Sequence, residues 1–283
     1  MSVQSFLMTV SIRASLLLCA LAMAGVTAAF SAPPAEDHAP LPAGSTASSV
    51  SDPRSETHAA HWSYGGEGGP DRWGELAPEN RPCAIGAQQS PIDLTRPLTA
   101  SIDVPVARWS QANGAQVVNN GHTLQVNVTS PGSLQLDGKD YALKQFHFHH
   151  PSEHTIDGKS FPLEVHFVHA APDGDLAVIG VMVDGGAVNP SLNPIWAVAP
   201  AKEGTAEAAG QIDLDAFLPK DASLYRYEGS LTTPPCSETV HWTVMSTPIT
   251  ASPSQLAAFA QLFPMNARPV QPLNRRFILK TSG

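Results

Sequence analysis

Four stretches of the chain set apolar and polar residues in short alternation: HTLQVNV (122–128), YALKQFHFH (141–149), PLEVHFVHA (162–170) and LAVIGVMV (176–183). A period of two marks strands. The short polar connections DGKS (157–160) and PDGD (172–175) make antiparallel hairpins of them. No internal repeat and no strand–helix alternation runs between His61 and Lys280, so the expected class is mainly β (α+β) with peripheral helices. One helix is expected near the end. Ser252 suits the N-cap, Pro253 the first helical position, and Gln255 completes a capping box. Leu256, Phe259, Ala260 and Phe263 then form its apolar face.

Parity on the strands sorts the histidines of QFHFHH (145–150). Gln145, His147 and His149 share one face, while Phe146, Phe148 and His150 share the other. Phenylalanines pack a core, so His147 and His149 point into a different environment. Imidazoles at i and i+2 sit about 6.5–7 Å apart at the backbone, a span that one ion can bridge. On the next run Glu164, His166 and Val168 share a face, with Leu163, Val165 and Phe167 opposite. Antiparallel pairing through the DGKS turn brings His166 beside the first pair. Three neutral imidazoles without a fourth protein ligand match a catalytic zinc, since structural zinc is usually closed by four. Gln145 and Glu164 each lie two residues before a ligand on the ligand's own face, placed to orient the rings. His150 and His169 fall on the wrong faces and His154 sits by the turn, so all three are weaker ligand candidates.

Composition narrows the rest. The 283 residues, 42% of them hydrophobic, suit one domain of roughly 200–250 residues with extensions. A formal charge of −9 without a basic stripe argues against nucleic acid as a partner. Arg13, the apolar run ASLLLCALAMAGV and the small residues up to Ala29 have the layout of a secretory signal peptide, expected over 1–28. The run is too short to span a membrane, which takes about 20 apolar residues, so no anchor is expected after cleavage. The expected location is periplasmic or secreted. Residues 29–60, rich in Ala, Pro and Ser, read as a disordered linker, and 61–283 as the structured domain. Once Cys19 leaves with the signal peptide, Cys83 and Cys236 remain. In an oxidising compartment that pair reads as a disulfide worth about 2–5 kcal/mol.

These motifs together resemble the α-class carbonic anhydrases. QFHFHHPSEHTIDGKSFPLEVHFVH is similar to the family's zinc-site hairpin. HWSYGGEGGPDRWGEL, QQSPIDL, NNGHTLQV, YEGSLTTPPCSETVHW and RPVQPLNRR match it in order, covering nearly everything from His61 onward. The resemblance implies a central twisted, mostly antiparallel sheet of about ten strands, with zinc at the base of a conical cleft. It implies reversible hydration of carbon dioxide by zinc-bound hydroxide. His147, His149 and His166 would hold Zn2+. Thr232 would accept the hydroxide's hydrogen bond and pass its own proton to Glu153. Val168, Val178, Leu231 and Trp242 would form the apolar wall for the substrate, with Thr233 lining the same space. His122 would shuttle the proton, and Tyr64, Asn120 and Gln125 would order water between metal and shuttle. Gln125 stands where the best-known members have Asn, and His150 where animal enzymes commonly have Trp. Exported bacterial members commonly carry a disulfide matching Cys83–Cys236. Carbon dioxide and bicarbonate are the implied substrates, anions and sulfonamides the implied inhibitors, and a homodimer is left open. A zinc- or copper-binding protein without catalysis would explain the three histidines but not Glu153, Thr232 and His122 together. A structural module of the same fold would typically lack a ligand histidine, and all three are present.

Overall fold

Ten strands follow one another across a single sheet in the order Gly204–Glu207, Gln116–Asn119, Leu124–Asn127, Lys139–His149, Leu163–Ala170, Leu176–Gly185, Val240–Met245, Leu224–Gly229, Leu279–Thr281 and Leu98–Ala100. Val106–Arg108, Ser133–Leu136 and Ile249–Ala251 join off this path, which makes thirteen strands in all. This computed structural model describes residues 61–129 and 132–281; the expected signal peptide and linker lie outside the described residues. Most pairings are antiparallel, as expected. The exceptions are Leu176–Gly185 with Val240–Met245 and with Ile249–Ala251, and Leu279–Thr281 with Leu98–Ala100. The sheet is therefore mixed, large and twisted.

The central strands owe their place to cover on both faces. Leu163–Ala170 and Leu176–Gly185 are buried nearly throughout, as strands sandwiched between two apolar layers must be. On one side lie Phe146, Phe148, Val165, Phe167, Ile179 and Phe217. On the other lie Val178, Met182, Tyr227, Trp242 and Val244. Each large side chain so buried contributes about 1.5–3 kcal/mol relative to exposure.

The helix forms over Pro253–Leu262. Its capping box is complete: Gln255 N donates to Ser252 Oγ at 3.3 Å and Ser252 N donates to Gln255 Oε1 at 3.1 Å. Phe259 and Phe263 are buried against the first layer, with Leu256 packed beside them.

One reading needs correction. YALKQFHFH does not alternate without a break. The register slips between Leu143 and Gln145, leaving Lys144 exposed as an extra residue. Tyr141 and Leu143 therefore enter the same core as Phe146 and Phe148 although their parities differ. The bulge lies before the histidines, so the parity of 145–149 stands. The DGKS turn, with Asp157 and Gly158 at φ 49° and 76°, caps a small excursion between the two ligand strands and does not join them directly. Beyond it the antiparallel register sets His147 opposite His166 and His149 opposite Glu164.

Candidate metal centre

The facing pairs bring three imidazoles together on one side of the sheet, and each ring can offer a nitrogen within 4.8 Å of the other two. Every ring is held by its remaining nitrogen. His147 Nδ1 donates to Gln145 Oε1 at 2.9 Å, His149 Nδ1 to the Asn266 carbonyl at 2.7 Å, and His166 Nε2 to Glu164 Oε1 at 2.8 Å. These bonds select tautomers whose free lone pairs lie on His147 Nε2, His149 Nε2 and His166 Nδ1. Burial keeps all three neutral. It pushes His147 well below its ordinary range, with the neighbouring imidazoles adding to the effect. It pushes His149 down to about 4, and it lowers His166 despite the opposing carboxylates.

Two polar atoms in this cup are buried without a hydrogen-bond partner: His149 Nε2 and Glu153 Oε2, 3.5 Å apart. Glu153 Oε2 also lies 3.8 Å from His166 Nδ1. Buried polar atoms are rarely left unpaired, because each costs about 1–3 kcal/mol. A cation on the nitrogens would take up the His149 Nε2 lone pair, and Glu153 Oε2 is left facing the Thr232 side chain beside it. A borderline metal such as zinc suits a set of three neutral nitrogens.

Glu164 is the anchor beneath the cup. Its Oε1 receives His166 and His154 Nδ1 (2.7 Å), and its Oε2 receives the backbone N–H groups of Glu153 and His154, both at 2.8 Å. Burial works against its ionised form, yet His154, His166 and their hydrogen bonds hold it well below the usual carboxylate range. Gly180 makes room for it, since a Cβ there would come within 3.0 Å of Glu164 Oε1.

His154, a weaker ligand candidate on the sequence, is here a second imidazole partner of Glu164. It is fully buried, with Nε2 2.6 Å from Tyr227 Oη, which in turn lies 2.9 Å from Ser90 Oγ. It belongs to the support of Glu164, while the ligand triplet excludes it. Local spacing held no signal for this, because the excursion around DGKS folds His154 back only in three dimensions. Asn266 and Arg268 were missed for a similar reason. Asn266 holds His149 by its carbonyl and donates through Nδ2 to the His122 and Phe148 carbonyls. Arg268 N donates to Glu153 Oε1 at 2.8 Å. Both act from a loop after the helix, more than a hundred residues from their partners.

Burial pushes Glu153 up to about 7, with His166, the Arg268 N–H and the Thr232 side chain pulling the other way. Thr232 is buried beside it, although no well-aligned bond reaches Glu153 Oε2. Val168, Val178 and Trp242 lie side by side across three strands in one register row, and Leu231 packs on the same cluster. The Trp242 ring is centred 4.9 Å from that of His166, so this apolar row borders the cup. Thr233 is half-buried, and its carbonyl accepts from Cys236 N at 2.9 Å. Cys236 is joined to Cys83, so the expected disulfide lies four residues beyond Thr232.

Toward solvent a hollow of about 570 Å³ is lined by His61, Trp62, Tyr64, His122, Glu203 and Asn266, among others. His122 is half-buried there, and burial together with His61 lowers its pKa. Asn120 Oδ1 accepts from the His122 and Thr123 N–H groups, so its oxygen shapes the turn that carries His122. Gln125 sits opposite His147 and donates to Asn127 Oδ1. Tyr64 meets His122 edge-on at 6.5 Å, and burial raises its phenol well above the usual range.

A cup of neutral imidazoles on a rigid sheet, with a buried orphan nitrogen and a carboxylate behind it, defines the class of protein: one with a candidate metal centre open to a small ligand. The family model for eukaryotic-type carbonic anhydrase matches residues 68–282. A carbonic anhydrase of Nostoc sp. is 47% identical over 227 residues, covering 78% of this chain and 86% of that protein. One of Pectobacterium carotovorum is 46% identical, covering 80% and 93%. The solved α-carbonic anhydrase of Thermovibrio ammonificans, in complex with the inhibitor sulfanilamide, superposes with a TM-score of 0.75 at 44% identity, covering 78% of this chain and 99% of that one. The chain belongs to the α-carbonic anhydrase family, and with it to an enzyme class that acts on carbon dioxide.

Proposed function

We propose that the protein hydrates carbon dioxide reversibly to bicarbonate and a proton, with Zn2+ held by His147, His149 and His166. The observation that carries this reading is the pair of buried, unpartnered atoms, His149 Nε2 and Glu153 Oε2, facing each other across a cup of neutral imidazoles. Zinc so held makes water acidic enough to ionise near neutral pH, a property of carbonic anhydrases at large. The chain's own residues do the rest. Gln145, Asn266 and Glu164 fix the rings, so no ligand has to reorient. Glu153 takes the Thr232 hydroxyl proton as a hydrogen bond. The Thr232 oxygen is then left as an acceptor that selects one orientation of the nucleophile, which contributes by alignment. Val168, Val178, Leu231 and Trp242 exclude water from the uncharged substrate, and Thr233 bounds the same space. His122 carries the released proton outward, with Tyr64, Asn120 and Gln125 ordering water on the way.

Sulfanilamide bound to the Thermovibrio relative supports sulfonamides as inhibitors here. The Cys83–Cys236 bond fits an exported, periplasmic or secreted protein. The test is stopped-flow hydration on purified protein, with and without chelation. Turnover that vanishes on chelation and returns with zinc is expected. Stoichiometric zinc without turnover would overturn the reading in favour of a metal-binding protein.

A further inference from the structure

A second hollow, of about 590 Å³, opens where the edge strand Leu98–Ala100 pairs with Leu279–Thr281. It shares no residue with the metal cup or its apolar row. Small-molecule sites are typically roughly 300–1,000 Å³. Leu98, Phe277 and Leu279 form its apolar walls. Phe277 is 70% exposed and Leu98 52%, so a large aromatic and a large aliphatic side chain stand together in water. Single exposed apolar residues are ordinary, but a cluster lining one hollow marks a contact surface.

The charges in the hollow do not all find partners. Arg226 and Asp137 close a two-pronged pair at 2.8 and 2.6 Å. Glu228 turns its carboxylate to His241 Nδ1 at 2.8 Å. Arg276 has no carboxylate partner among the described residues. Four of its five N–H groups donate to the carbonyls of Leu273, Glu228, Gln89 and Pro272. The fifth, on Nη1, has no partner among the described residues. The guanidinium is half-buried and fixed 5.5 Å over the Tyr227 ring, so it needs no reordering to receive a ligand. Burial lowers its pKa, as befits a cation short of a counter-charge.

We propose that this hollow binds a small amphipathic monocarboxylate, an aryl or alkyl acid whose chain lies against Leu98, Phe277 and Leu279 and whose carboxylate takes the spare N–H of Arg276. The carboxylate supplies the missing counter-charge through a charge-assisted hydrogen bond. An inorganic anion would leave the apolar walls in water, and a hydrocarbon would leave Arg276 unanswered. Asp137 and Glu228 line the same hollow and repel a second negative charge, so the ligand carries one.

The experiment titrates phenylbutyrate into the zinc-loaded protein and follows methyl groups by NMR. Leu98 and Leu279 report on the hollow, Val178 and Leu231 on the cup. Saturable shifts at Leu98 and Leu279 are expected. Affinity should fall about tenfold in Arg276→Gln, which loses the charge, and several-fold in Phe277→Ser. Phe277 is exposed, so that variant keeps the test decisive if Arg276→Gln does not fold. Glu228→Gln should bind more tightly, because a repelling charge is gone. Phenylbutanol, which keeps the ring without the charge, and acetate, which keeps the charge without the ring, should each bind about tenfold more weakly than phenylbutyrate. Shifts confined to Val178 and Leu231 would overturn the site, as would equal affinity for phenylbutanol or unchanged affinity in Phe277→Ser.

Discussion

His166 and His169 lie three residues apart on one strand and could not be more differently used. His166 faces the cup, bonded through Nε2 to Glu164 and free at Nδ1. His169 faces the phenylalanine layer. There the Trp109 indole N–H donates to its Nε2 at 3.1 Å, and its Nδ1 donates to the Ala177 carbonyl at 3.2 Å. Both rings are buried and both are held neutral, His169 at about 4. What separates a candidate ligand from a core histidine is therefore neither burial nor a depressed pKa. It is whether both nitrogens already have partners. A satisfied histidine stabilises the fold, while one with a spare, aimed lone pair has been held back for something else.

The sharpest way to break this contrast is to remove each ring in turn. His166→Ala should abolish stoichiometric zinc and cut hydration by more than about 100-fold, beyond what losing an outer partner costs. His169→Ala should keep its zinc, read by metal analysis of the purified protein. Equal metal loss in both would refute the assignment of faces.

Glu164→Gln tests the next layer down. The cup keeps three nitrogens but loses the charge under His166 and His154. Zinc affinity, measured by competition with a chelator, should fall by about 10–100-fold. An unchanged affinity would mean that Glu164 serves only the fold.

For His169 the expected effect is on stability and has a sign. Its folded pKa of about 4 lies below the unfolded value of about 6.5, so between them the unfolded chain binds more protons. The stability it contributes is complete above about pH 6.5 and is lost as pH falls toward 4, by up to about 3 kcal/mol. Urea unfolding of the metal-free wild type and His169→Leu from pH 4 to 7 should show a steeper loss in the wild type, since the buried His147, His149 and His166 give both proteins a shared slope to which only the wild type adds His169. Parallel curves would show that His169 does not titrate as its burial requires.

The smallest effect contrasts the cup with its rim. His122→Ala removes no candidate ligand and no part of the apolar row. It should lower kcat several-fold in weak buffer while leaving kcat/KM nearly unchanged. A parallel fall in both would place His122 in substrate capture.

Much of this was legible along the chain, because a strand's period of two is a local rule. It assigned Gln145, His147 and His149 to one face, Glu164 and His166 to another, and the capping box to Ser252 and Gln255. The disulfide followed from two cysteines in a chain whose leader reads as a signal peptide. The bulge at Lys144 was not legible, since only pairing with the neighbouring strand shows an extra residue. His154, Asn266 and Arg268 were equally hidden. Their partners lie 10 residues away through a folded-back excursion, or 115 and more through the whole sheet. Local sequence thus determined which side chains face together, because backbone geometry alternates without reference to the rest of the molecule. Which buried atoms found partners, and which were left without one, was decided only when distant loops closed over the sheet. Hydrogen-bond satisfaction is a property of the assembled neighbourhood and not of any segment within it.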